Sequence, residues 1–201
     1  MRIKVIYNWL IYIVLLIGGI IDTEAQDISY IRKKYTDVRN LIVLQKDEAQ
    51  MQNNAILTLK HNVPGSGPQI VRYELFFTPY SDNMEGGKMQ HKLIFVQSSY
   101  NIAARSFYEE FLYDESGNPI FIYTHEPDWE GKIDFLDRRM YYQNNELLKI
   151  IISEVTGGKS NVIYQGGEVE NQSEYFKNVF GRALSVGKMF DAINENVNPE
   201  R

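Results

Sequence analysis

Five carboxylates, Glu126, Asp128, Glu130, Asp134 and Asp137, bracket Trp129 between positions 126 and 137. An oxygen-rich loop of this kind can hold Ca²⁺, which takes about six to eight oxygen ligands. Glu126, Asp128 and Glu130 are the candidate metal ligands on that reading. Two of the acids beside an exposed indole could instead serve a sugar, one as acid and one as base or nucleophile. The spacing opposes both. It is not that of an EF-hand, Gly131 is the loop's one glycine, and Arg138 and Arg139 come directly after as cross-strand partners for the acids. The run therefore reads as a solvated, ion-paired loop, and no catalytic residue is assigned. Tyr123, Trp129 and Tyr141 are the candidate ligand-contact residues, because aromatics on an open sheet face present a flat apolar surface with a polar tip.

Other motifs fail on spacing. Gly157-Gly158-Lys159-Ser160 matches the end of a phosphate-binding loop, but Ser153 stands where the earlier glycine is required. Residues 161–165 read as extended rather than as the helix whose N-terminus would face a phosphate. His61, His91 and His125 are far apart, with no pair at helical metal spacing. Ser66, in Gly65-Ser66-Gly67, is out of frame for a nucleophile elbow. There are no cysteines, which excludes thiol chemistry, cysteine-ligated metals and a lipid-modified N-terminal cysteine. No cofactor is expected.

The N-terminus supplies an address. A basic start (Arg2, Lys4) precedes an apolar run from Val5 to Ile21, and Thr23 and Ala25 are small residues of the kind that signal peptidase reads. The run sits near the lower limit of about 17 residues for a membrane span and is weakened by Asn8, Gly18 and Gly19. Residues 1–25 are thus expected to be a cleaved signal peptide, giving an exported protein, periplasmic or extracellular, with no stable membrane insertion after cleavage. The mature chain, residues 26–201, has the length of one domain and can bury about 70% of its unfolded surface without disulfides. A net charge of −5 argues against nucleic acid as a partner.

A helix is expected from Asp27 to Gln52, because Ile28, Ile31, Tyr35, Val38, Ile42, Gln45 and Ala49 alternate steps of three and four, with Leu41 and Leu44 widening the stripe. Strands are expected at 56–63, 70–78, 92–100, 107–113, 120–124, 139–142 and 147–155, separated by turn-forming residues. The stretch 114–119, Asp-Glu-Ser-Gly-Asn-Pro, marks the clearest hairpin. Residues 157–171 read as a loop with a short edge strand at 162–164. Tyr175, Val179, Ala183, Val186, Phe190 and Ile193 then give a second amphipathic helix. The expected fold is α+β: an antiparallel meander of six or seven strands with both helices packed on one face.

The helix over Ile28–Met51, together with meander strands carrying phrases such as Phe111-Leu112-Tyr113-Asp114-Glu115-Ser116-Gly117-Asn118-Pro119-Ile120, resembles small exported proteins of gut-type Gram-negative bacteria. That resemblance covers most of residues 26–201. It implies a periplasmic or surface location and carries over no functional residue. The expected function is a non-enzymatic binding or interaction domain for an envelope protein, peptide or glycan. Its rivals are a glycan-acting hydrolase using Glu126, Asp128 or Asp134, and an apolar-ligand carrier.

Overall fold

The computed structural model describes residues 27–44, 54–63, 67–78, 91–167 and 173–197. The expected signal peptide, the continuation of the first helix over 45–52 and the connection at 79–88 lie outside the described residues. Helix α1 covers 27–44. Eight strands come next: β1 Asn54–Val63, β2 Gly67–Phe77, β3 Leu93–Ile102, β4 Arg105–Tyr113, β5 Pro119–Pro127, β6 Phe135–Gln143, β7 Glu146–Thr156 and β8 Lys159–Gly166. Helix α2, Ser173–Val197, closes the chain. The strands form one antiparallel sheet in sequence order, β1 to β8, so every pairing is a hairpin neighbour. Among the described residues, no helix is long and apolar enough to cross a membrane.

The turns explain the register. Asn144 and Asn145 take φ of 51° and 67°, and Gly157 and Gly158 take 57° and 74°. Two consecutive positive φ values make the two-residue turn whose twist matches paired strands, and only Asn, Asp and Gly adopt it at low cost. In the 114–118 turn, Asp114 Oδ1 accepts hydrogen bonds from the backbone N–H groups of Ser116 and Asn118, both at 2.8 Å. The β3–β4 turn is the exception. Ala103 sits at φ 53°, where its Cβ crowds the carbonyl that comes after it. Ala103→Gly should raise the unfolding free energy by about 0.5 kcal/mol, the relief of strain being partly offset by backbone entropy; a urea melt reads it.

Two expectations need correction. The sheet has eight strands rather than six or seven, because the short edge strand expected at 162–164 is a full strand, β8, over Lys159–Gly166. The helices also lie on opposite faces rather than one. Phe176, Val179, Ala183, Val186 and Phe190 of α2 cover Leu75, Val96, Phe111, Tyr113, Ile122, Met140, Ile150 and Ile152. Ile28, Ile31 and Ile42 of α1 cover Phe76, Phe95, Leu112, Phe121, Tyr141 and Ile151. The reason is visible in the strands. Leu75-Phe76, Phe95-Val96, Phe111-Leu112, Phe121-Ile122 and Met140-Tyr141 are adjacent apolar pairs, and adjacent residues of a strand point to opposite sides. A sheet with apolar residues on both sides needs both sides covered.

Candidate functional site

The loop joining β5 to β6 is held rigid from two directions. Asp128 folds it from within: its carboxylate accepts backbone N–H bonds from Glu130 at 3.1 Å, Lys132 at 2.7 Å and Ile133 at 3.2 Å. Those bonds, from Glu130 first and then Lys132, favour the charged form and pull its pKa below the ordinary carboxylate value. Gly131 supplies the φ of 71° that the bend requires. From outside, Arg105 at the start of β4 reaches over. Its Nη1 donates to the Asp128 carbonyl at 3.0 Å and its Nη2 to the Trp129 carbonyl at 3.3 Å.

That clamp fixes the indole. The Arg105 guanidinium lies 4.3 Å from the centroid of the Trp129 ring, a cation–π contact. Phe107 sits 5.9 Å away and is itself stacked on Tyr100 at 5.1 Å. Trp129 nevertheless remains 59% exposed. Asp134, at the far end of the loop, accepts from the Gly157 N–H at 2.6 Å and ties the loop to the β7–β8 turn.

The remaining sequence candidates are placed elsewhere. Tyr123 and Tyr141 lie on the α1 face. Tyr141 is buried, with Arg32 Nε donating to its hydroxyl at 3.2 Å. Half-buried Tyr123 lies under Arg139, 5.7 Å from guanidinium to ring, and meets Tyr108 edge-on at 6.4 Å. Burial, and then Asp137, raise its pKa, so it stays a hydroxyl donor. The three candidate aromatics therefore do not form one platform; of the three, Trp129 alone is mostly exposed.

The three candidate metal ligands diverge. Glu126 accepts from Arg138 Nη1 at 2.8 Å and from the Tyr175 hydroxyl at 2.6 Å, under α2. Asp128 is turned into its own loop, and exposed Glu130 pairs with Lys132. Among the described residues no group of three or more His, Asp or Glu is placed to hold a metal ion. The histidines have separate partners: His91 Nδ1 is 2.8 Å from the Thr78 carbonyl, while His125 Nδ1 is 2.6 Å from Asp137. The His61 side chain lies outside the described residues.

One pair of acids has no counterpart among the sequence candidates. Glu109 and Glu110 are consecutive in β4 and each is 1% exposed. Glu109 points to the α2 face, where Arg182 and Tyr100 donate to it. Glu110 points to the α1 face, where it accepts from Arg39 at 2.8 Å and from Tyr35 and Tyr108, both at 2.5 Å. Two adjacent acids inside the aromatic run Phe107-Tyr108-Glu109-Glu110-Phe111 are the signal that could have found them, since a strand buried on both sides admits charge only when it is paired. No protein-family model, curated protein or solved structure matches this chain.

Proposed function

We propose that the protein is an exported, non-enzymatic binding domain whose contact residue is Trp129 and whose ligand is a glycan. The observation that carries the reading is a solvent-facing indole held in place by a cation–π contact and a hydrogen-bonded loop. Fixing an exposed aromatic before its ligand arrives lowers the entropy lost on binding. The apolar C–H face of a pyranose ring suits an indole, with sugar hydroxyls free to reach the polar rim of the loop. Export is supported by the basic, apolar and small-residue order of positions 1–25.

The hydrolase reading needs two carboxylates facing each other across about 5–9.5 Å. Glu126, Asp128 and Asp134 are instead committed to Arg138 and Tyr175, to the loop backbone, and to Gly157. A peptide ligand would need hydrogen-bonding along an extended backbone, which a single loop aromatic does not offer.

Calorimetric titration with a panel of neutral oligosaccharides tests the proposal. One or more should bind, and Trp129→Ala should weaken that binding at least tenfold, about 1.4 kcal/mol. The same substitution should cost the fold no more than about 1 kcal/mol, the worth of the lost contact with Arg105. Binding unchanged in Trp129→Ala, or hydrolysis of a bound sugar abolished by one carboxylate substitution, would overturn it.

A further inference from the structure

Gly181 stands in the middle of α2, where glycine is less favourable than alanine by about 1 kcal/mol. Packing among the described residues does not demand it. Its φ is not positive, and a Cβ built there would meet nothing within 4 Å. Gly187, further along the same helix, differs: a Cβ there would touch the Tyr113 ring at 3.6 Å and approach the Gly117 carbonyl at 4.0 Å. A glycine with open space beside it among the described residues, in a helix that would be better served by alanine, leaves the backbone open to close approach.

That place is a groove of about 390 Å³ between α2 and β2, within the size range of small-molecule sites. Its polar lining is rich in donors: the Tyr73 hydroxyl, Lys177, Asn178 and Arg182. Arg182 commits Nη2 to Glu109, while its buried Nε has no hydrogen-bond partner among the described residues. Lys177 and the Tyr73 hydroxyl likewise show no hydrogen-bond partner among the described residues. Ser185 donates its hydroxyl to the Gly181 carbonyl at 2.8 Å. Arg182 is paired with Glu109, and exposed Lys177 brings a second cation to the groove, with Glu174 three positions before it on α2. Val186 and Met189 add an apolar wall.

We propose that this groove is a binding site for a small organic carboxylate. Its anionic end meets Lys177 and the Tyr73 hydroxyl, its body lies against Val186 and Met189, and its closest approach is over Gly181. The site is separate from Trp129 and stands whether or not the glycan reading holds.

Hexanoate is a suitable probe, with methyl hexanoate as the uncharged control and inorganic phosphate as an anion without an apolar body. Titrations are read by calorimetry on the purified protein. Hexanoate should bind, the ester and phosphate at least tenfold more weakly, and Lys177→Gln should lower hexanoate affinity by a similar factor. Gly181→Ala provides the sharpest check, because two readouts move in opposite directions: the melting temperature should rise while hexanoate affinity falls at least tenfold. A glycine with no part in binding would raise the melting temperature on the same substitution and leave hexanoate affinity unchanged. Equal binding of acid and ester, equal binding of phosphate, unchanged affinity in Gly181→Ala, or no binding at millimolar hexanoate would each overturn the assignment.

Discussion

Arg182→Met should cost about 3 kcal/mol of stability near pH 8 and much less near pH 5, because it leaves Glu109 buried with only Tyr100 as donor. Burial is the largest influence on Glu109 and raises its pKa above the ordinary 4.5; Arg182 and Tyr100 oppose that rise and Glu126 adds to it. A carboxyl whose folded pKa is raised keeps its proton where the unfolded chain has lost it. Its contribution to stability is therefore fully present below 4.5 and is lost as pH rises through the folded value. Removing Arg182 pushes that value higher and deepens the loss at neutral pH. Urea unfolding of variant and parent at both pH values reads the effect, with the contributions of other acids cancelling in the difference. A loss equal at both pH values would assign Arg182 a packing role and no electrostatic one.

Phe95→Ala should be the more damaging change, at about 3–5 kcal/mol. Phe95 has no exposed surface and meets Tyr35 of α1 at 6.0 Å and Phe76 of β2 at 6.2 Å. Truncation opens a void beneath α1 on a rigid sheet that cannot close around it. Against a typical total of about 5–15 kcal/mol, this threatens the fold itself. Leu44→Ala is the matched contrast. Leu44 is 58% exposed, and its truncation should stay within about 0.5 kcal/mol. Equilibrium unfolding of the two variants measures both.

Leu44 also shows how far a helical period can be taken. The stripe Ile28, Ile31 and Ile42 is buried as the period requires, yet Leu41 and Leu44, adjacent to that stripe, face water. Period locates the centre of a helix face; the partner surface decides its width. The hairpin turns at 114–118 and Asn144-Asn145 are legible because positive φ and side-chain caps demand particular residues. Strand β8 is legible only at 162–164, because an edge strand with most residues exposed carries no alternation from which to read its full length. Two-sided coverage is written in the adjacent apolar pairs, and it is lost when each strand is read for a single alternating face. Of the candidate site, the exposure of Trp129 can be anticipated from the polar residues around it. Its clamp cannot, since Arg105 lies 24 positions away and meets it only across the sheet end.

The sheet between Glu109 and Glu110 is one peptide layer thick, and it divides the described residues into two interiors with no buried side chain in common. Each has its own lid, and each lid is latched by a cation of its own. Loosening one lid would turn the shared wall into an oily exterior on that side while the chamber behind it stayed shut. Such a molecule can be half open, and the half-open form, rather than the unravelled chain, is the one most prone to stick to its own kind.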